Sequence, residues 1–244
     1  MLDGIIRKIL PPVHILKRSL QLVLTSIALA GPAKAKDTEP PAPSIPPEKA
    51  IAALGGTVFR EDQTKMATEV KLNGSANLQD DDLKLVASFK HLTDLSLEGT
   101  SLTGAGLAHL SKLKKLEWLN LWQTNVDDKG MAHLAGLPSL QFLPIGGTKI
   151  TNAGLEHLKD LPLLIYLGLR DTAISDVGVA KLTALPVLKE LNLRNTKITD
   201  GCIVSLVKIR SLRKVWLGET KVTKKGLAQL RSALPRCEIE LSTD

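Results

Sequence analysis

The chain has 244 residues, of which 43% are hydrophobic but only 3% aromatic, so any core must consist mainly of aliphatic side chains. Its formal net charge of +7 would suit a nucleic-acid partner, but residues 1–35 alone hold five Lys/Arg and one acid. Without that segment 27 basic and 24 acidic residues remain, and the chain carries no nucleic-acid recognition motif. We therefore expect no nucleic-acid partner, and one domain with an N-terminal appendage.

Residues 1–35 have the features of a secretory signal peptide. Basic residues precede an apolar run from Leu20 to Ala30, and small-x-small sequences end at Ala30 and at Ala35. This pattern predicts cleavage after one of these two alanines. An uncleaved membrane anchor would need about 20 apolar residues, and the run provides about a dozen. We expect an exported protein, in the periplasm, the cell envelope or the extracellular space, with no membrane span after cleavage.

The next two segments are a predicted linker and a predicted cap. Residues 36–47 are rich in proline and should form an extended, semi-rigid linker. Residues 48–68 should form an N-terminal cap that begins with a short helix ending at Gly55. Strands are predicted over Val58 to Arg60 and over Glu69 to Leu72. Such a cap would cover the exposed core of the first repeat.

Six consecutive units of 24 residues follow, from Leu92 to Pro235. Each reads L-x-x-L-x-L-x-x-T-x-I/L/V-T/S/D and continues with apolar residues at helical spacing. Before these six units, residues 72–89 form a degenerate unit that contains one extra residue. A fixed period in this range indicates a solenoid, in which each unit contributes one short strand and one short helix. A single unit buries too little apolar surface to offset its loss of conformational entropy, so the units must stack.

This pattern resembles the leucine-rich repeat family. It is most similar to the bacterial type with threonine in the ladder position, and to the cysteine-containing repeats of F-box receptors. The chain has no F-box-like segment, so the ubiquitin-ligase role of those receptors is not implied. The resemblance implies an α/β fold, a right-handed horseshoe-shaped solenoid with a parallel sheet on the concave face and short helices on the convex face. It would cover residues 69–244, including a C-terminal strand that caps the stack.

Three repeated positions have expected structural roles. A threonine after each strand should satisfy backbone groups of the turn; these are Thr100, Thr124, Thr148, Thr172, Thr196 and Thr220. Residue types that cap helix N-termini recur three positions later; they are Thr103, Asp127, Thr151, Ser175, Thr199 and Thr223. A glycine follows in most units and should allow the helix start to pack closely on the strand; these are Gly106, Gly130, Gly154, Gly178 and Gly226.

Several side chains could suggest metal or redox chemistry, but each has a simpler interpretation. One helical position holds His109, His133, His157, Lys181, Ser205 and Gln229 in successive repeats, as a solvated convex site would. Asp80 to Asp82 could bind calcium, but acids are also favoured at a helix N-terminus. Cys202 and Cys237 should be too far apart for a disulfide and are predicted to be free thiols. We find no catalytic or phosphate-binding motif and expect no enzymatic activity, metal or cofactor.

The outward strand positions differ from the rest of the chain, because they hold every tryptophan and the tyrosine. The predicted ligand-binding residues are Trp118, Asn120, Trp122, Phe142, Tyr166, Arg170, Arg194 and Trp216. Trp118, Phe142 and Tyr166 should form a contiguous row of exposed rings, beside a shallow depression at Pro144, Gly146 and Gly168. Aromatic residues also suit strands wherever they occur, but aromatic and arginine side chains exposed together are typical of an interaction hot spot.

The sequence thus predicts an exported, monomeric binding module that recognises a protein or peptide on its concave face. A glycan-binding receptor of the cell envelope is an alternative, because flat rings on a sheet also stack on sugars. A purely structural envelope component is a third interpretation, which the clustered aromatic residues disfavour.

Overall fold

The computed structural model describes residues 45–241 of the chain. The predicted signal peptide and most of the predicted linker therefore lie outside the described residues. Within them, nine strands form one sheet in chain order. They are β1 Thr57–Arg60, β2 Ala67–Lys71, β3 Asp94–Ser96, β4 Trp118–Asn120, β5 Phe142–Pro144, β6 Tyr166–Gly168, β7 Glu190–Asn192, β8 Lys214–Trp216 and β9 Glu238–Glu240. The β1–β2 pair is antiparallel and all the later pairs are parallel.

The helical half of each unit is short, as the repeat pattern predicts. The α-helices are α1 Pro47–Ala53, α2 Leu83–Val86, α3 Gly104–Leu107, α4 Asp128–Met131, α5 Asp176–Lys181, α6 Ile203–Lys208 and α7 Lys224–Ala233. Helices of the 3-10 type extend or replace them at Asp80–Asp82, Ala108–Lys112, Ala132–Gly136, Gly154–Asp160, Leu182–Ala184 and Asp200–Cys202. The parallel sheet with one helical segment between successive strands is an α/β leucine-rich repeat solenoid, and the predicted fold class is confirmed.

Strand register follows the sequence period. Leu143 on β5 pairs with Leu167 on β6, and Leu167 pairs with Leu191 on β7, each 24 residues apart. Val70 instead pairs with Leu95, 25 residues later, which confirms the extra residue of the first unit. The inward strand leucines are fully buried and form one continuous aliphatic core with the apolar helix residues. Successive side chains of a strand point to opposite faces of the sheet, so the side chains that do not enter the core face the concave side.

The threonine column makes one hydrogen bond per repeat. In all six units the threonine hydroxyl donates to the carbonyl oxygen three residues earlier, at distances of 2.6 to 2.8 Å. In Thr172, for example, the bond reaches the carbonyl of Leu169, a fully buried residue. The predicted role of this column, to satisfy backbone groups of the turn, is therefore confirmed.

The convex side holds a second column that the sequence analysis missed. An aspartate at the first helical position accepts hydrogen bonds from the backbone N–H and the hydroxyl of the capping threonine in the next repeat. The pairs are Asp80–Thr103, Asp128–Thr151, Asp176–Thr199 and Asp200–Thr223, with distances of 2.5 to 2.8 Å. Asn152 and Ser175 make the equivalent pair. The recurrence of Asp/Asn every 24 residues could have revealed this column.

The aspartate and asparagine side chains of this column also explain the repeated glycine. A Cβ on Gly154, Gly178 or Gly226 would lie 2.1 to 2.5 Å from a side-chain oxygen of Asp128, Asn152 or Asp200, respectively. The sequence analysis predicted that these glycines let the helix start pack on the strand. That prediction was wrong about the partner, because at these three glycines the space is filled by a side chain of the preceding repeat. The capping prediction holds for five units, since Ser175 instead accepts from the Asn152 amide.

Replacing Gly178 by alanine should lower the free energy of unfolding by about 1 to 3 kcal/mol, because the added methyl group would overpack this site. The new Cβ would lie 2.4 Å from Asn152 Oδ1 and 2.9 Å from Ile174 Cγ2. Denaturant unfolding of the purified chain measures the change. Ala180→Ser, at an exposed position of the same helix, is the control. Equal stability of the Gly178→Ala variant and the wild type would show that this contact is not close in solution.

Candidate functional site

The predicted site residues lie on the concave face, which we define as the outward side chains of the parallel strands and of the residue two positions after each. Trp118, Phe142 and Tyr166 occupy matched positions on β4, β5 and β6 and are called the aromatic row. Asp94 precedes the row on β3, and Glu190 follows it on β7. The strand register thus confirms that the three aromatic residues are neighbours.

The predicted exposure is correct for only part of this set. The aromatic row and Arg170 are partly exposed. The other four residues are almost covered: Asn120 is 1% exposed, Trp122 9%, Arg194 6% and Trp216 7%. The prediction of an exposed side chain is wrong for these four, because each is held against other side chains of the chain, as Arg194 is against Glu219 and Trp216 against Tyr166.

Asn120 has a structural role. Its Nδ2 donates to Glu98 Oε2 at 2.9 Å, and its Oδ1 accepts from the backbone N–H of Trp122, also at 2.9 Å. Asn192, at the same position three repeats later, likewise accepts from the backbone N–H of Arg194. Both amides therefore fix the chain where it leaves the strand.

Trp122 lies against the sheet where Gly146 leaves space. A Cβ on Gly146 would be 2.2 Å from Cζ3 of the indole. The guanidinium carbon of Arg170 lies 5.7 Å from the centroid of the same ring, a distance suited to a cation–π contact. The indole is therefore held between the sheet and a cation.

Tyr166 fills the space above Gly168 in a similar way. A Cβ there would lie 3.0 Å from the tyrosine hydroxyl oxygen. The ring contacts Trp216 edge to face, with centroids 6.3 Å apart and planes at 77°, and burial raises the pKa of Tyr166 to about 12 despite a hydrogen bond with Asn192. The depression expected near these glycines is thus occupied by the protein's own rings.

Pro144 interrupts the sheet between β4 and β5. Only Trp118 and Phe142 form a matched pair there, whereas each of the other parallel pairs has three. The reason is that proline has no N–H to donate to the neighbouring strand. The carbonyl of Pro144 still accepts from the N–H of Leu121 at 2.9 Å, so the strands remain joined beside the aromatic row.

The cations of the concave face are already engaged. Their ion pairs are Lys71–Glu69 at 2.8 Å, Arg170–Asp171 at 3.1 Å, Arg194–Glu219 at 2.7 Å and Lys214–Glu238 at 2.9 Å. Arg194 donates to Glu219 through both Nε and Nη2. The two arginines that were predicted to bind a ligand, Arg170 and Arg194, are therefore held by carboxylates of the chain itself.

Four buried polar atoms of the concave face have no hydrogen-bond partner among the described residues. They are Ser96 Oγ, Trp122 Nε1, Arg170 Nε and Glu190 Oε2, of which Arg170 Nε has the Asp171 carboxylate 3.1 Å away. Burial raises the pKa of Glu190, although the nearby charge of Lys214 opposes the shift. Unpaired buried donors and acceptors are rare in folded proteins, and each is a position that a polar ligand could satisfy. Sequence reasoning missed Glu190, because only the structure shows that its oxygen is unpaired.

The other candidate groups found in the sequence have local partners. Asp80 accepts from Thr103, Asp81 pairs with Lys84, and Asp82 accepts from the backbone of Gln79. Cys202 and Cys237 are unpaired thiols, and burial raises their pKa to about 12 and about 11, respectively. No group of three or more potential metal ligands occurs within residues 45–241. In the same part of the chain, no helix combines the length and the apolar composition needed to cross a membrane.

Comparison with known proteins places this geometry in a fold family. No protein-family model and no curated protein matches the chain. An internalin from Listeria monocytogenes aligns with a TM-score of 0.58 and 22% identity, over 73% of this chain and 48% of its own. A second internalin, of the C2 type, from the same organism aligns with a TM-score of 0.51 and 22% identity, over 67% of this chain and 77% of its own.

The chain thus spans about half the length of the first of these structures. At 22% identity the similarity is one of fold. It agrees with the constant sequence period, the parallel strand register and the short helical segments described above. By its fold, the chain is a leucine-rich repeat protein.

Proposed function

We propose that the mature chain is an exported binding module that recognises a protein or peptide on its concave face. The observation that carries this proposal is the aromatic row, three partly exposed rings in register on adjacent strands. Aromatic side chains contribute large contact areas and dominate the energetics of many interfaces. Trp122 Nε1 and Glu190 Oε2 add unpaired polar atoms beside the row. Function here is recognition, without catalysis and without a cofactor.

Export rests on the signal-like residues 1–35, and the mature chain would begin at Gly31 or Lys36. The proline-rich residues 36–47 would then form the N-terminal extension of the mature chain. A protein or peptide is the leading ligand class, since aromatic side chains partly exposed beside arginines are typical of interaction hot spots between proteins. A polysaccharide of the envelope is the alternative ligand.

The double variant Trp118→Ala with Phe142→Ala should bind the ligand at least about 30-fold more weakly, because two anchor rings of a hot spot are removed. The immobilised full chain is first used to capture ligands from envelope extract. A second sample of the same extract is treated with protease, so that its polysaccharides remain without intact protein. The captured molecule is then purified and titrated against the variant by calorimetry.

Lys181→Ala on the convex face is the matched control and should bind as the wild type does. Capture that survives protease treatment would assign the ligand to the polysaccharide class. A loss of affinity in Lys181→Ala, with unchanged affinity in the double variant, would place the binding surface on the helices and contradict the proposal.

A further inference from the structure

The charges of the concave face are unevenly compensated. Lys71, Arg170, Arg194 and Lys214 each lie in an ion pair with a carboxylate of the chain. Glu98 and Glu190 lie on the same face and have no ion pair within 4.0 Å among the described residues. Glu98 accepts only the neutral Asn120 amide, and Glu190 Oε2 is buried without any hydrogen bond. The face therefore lacks cations rather than anions.

Two of the aromatic rings on this face also lack a cation among the described residues. The chain's own cations lie over Phe59, Trp122 and Trp216, at 4.7, 5.7 and 4.8 Å from the ring centroids. Within residues 45–241, Trp118 and Phe142 have no such cation. Their faces are partly exposed, and the carboxylate of Asp94 lies on the adjacent strand and adds negative charge. An exposed ring beside a carboxylate is an environment that attracts a guanidinium or ammonium group.

We propose that the concave face is a receptor for an extended basic segment of a protein or peptide, with one Arg or Lys over Trp118 and Phe142 and another paired with Glu190. This inference rests on the proposed function and names the ligand chemistry of the same site. Lys214 cannot fill the second position, because its ammonium group already bridges Glu238 and Glu240 at 2.9 and 3.1 Å. An incoming cation would instead pair with the partly exposed carboxylate of Glu190, which has no ion pair of its own among the described residues.

The geometry also sets the length of this segment. Trp118 lies on β4 and Glu190 lies on β7, three strand spacings apart, which is about 14 Å at the usual distance between parallel strands. An extended chain covers that distance with about four residues. The proposed ligand is therefore a segment with cationic side chains about four residues apart, lying across the strands.

Acetylated octa-arginine is a suitable probe, and octa-citrulline is its neutral isostere. Binding to the full chain is followed at low salt by tryptophan fluorescence and by calorimetry. We expect octa-arginine to bind at least about tenfold more tightly than octa-citrulline, because a charged hydrogen bond to a carboxylate outweighs a neutral one. Octa-glutamate should not bind.

Two variants tie this preference to the site. Glu190→Gln should weaken octa-arginine binding about tenfold, while the unfolding midpoint stays equal or rises, because a buried unpaired carboxylate is removed. Trp118→Leu keeps an apolar side chain and should weaken binding about threefold through the lost cation–π contact. Glu156→Gln, which removes an exposed carboxylate from the convex side, is the matched control and should have no effect.

Equal binding of the three peptides, or equal effects of Glu190→Gln and Glu156→Gln, would overturn the inference. In either case the proposed function would still stand if the ligand captured from the envelope depends on Trp118 and Phe142. Conversely, selective octa-arginine binding that requires Glu190, together with capture of a protein or peptide, supports the inference, whereas capture of a polysaccharide alone would contradict the proposed function and the inference with it.

Discussion

Replacement of Leu167 by alanine should lower the free energy of unfolding by about 2 to 5 kcal/mol. Leu167 is fully buried at the centre of β6 and pairs with Leu143 and Leu191 on the neighbouring strands. Truncation removes apolar contacts and leaves a cavity, because the flanking repeats hold the strands at fixed spacing. Equilibrium unfolding in urea, followed by circular dichroism, gives the change.

His133→Ala is the control for this prediction. His133 is exposed in the helical half of its repeat, and its replacement should alter the free energy of unfolding by no more than about 0.5 kcal/mol. If the two variants lost the same stability, the assignment of inward and convex positions would be wrong throughout the solenoid, since every repeat shares one register.

Replacement of Trp122 by alanine should cost about 3 kcal/mol of stability, although Trp122 faces the concave side. The indole is 9% exposed, packs over Gly146 and carries the Arg170 guanidinium on its ring. Its removal exposes the backbone beneath and releases Arg170 from the sheet. The midpoint and slope of urea unfolding measure the loss.

Trp118→Ala is the matched comparison, because Trp118 belongs to the same repeat but is only partly buried. We expect it to cost about 1 kcal/mol or less. A Trp122→Ala variant as stable as Trp118→Ala would mean that the indole of Trp122 is free in solution and available to a ligand. With the expected difference, Trp118 is the suitable probe of binding, and Trp122 is a probe of folding.

The sequence period alone was sufficient to predict the architecture. One unit recurs every 24 residues, so one assignment of inward leucines, as in Leu143 and Leu167, applies to every repeat. The threonine column was predictable for the same reason, since a hydroxyl at a fixed position after a strand has few partners within reach. Regular repetition removes most of the ambiguity that normally affects predictions from a single sequence.

The candidate site was less predictable, because it depends on departures from the repeat. Alternation correctly placed Trp122 and Trp216 on the concave side, but their burial depends on how neighbouring side chains lean. Trp122 lies against the sheet because Gly146 has no side chain, and Tyr166 lies over Gly168 for the same reason. The ion pair between Arg194 and Glu219 is a further example, because the two residues belong to successive repeats and come together only when the repeats stack.

The aspartate column on the convex side bears on how the solenoid unfolds. It links successive helix starts, except between the first two full repeats, where Gly104 takes the place of the aspartate and a Cβ on Gly130 would lie 2.4 Å from its Cα. In a stack whose units interact only with their neighbours, partial unfolding stops at the weakest interface. The N-terminal cap, the degenerate unit and the first full repeat would therefore unfold together as one cooperative block. The aromatic row, which begins in the second full repeat, would stay in the part that remains folded.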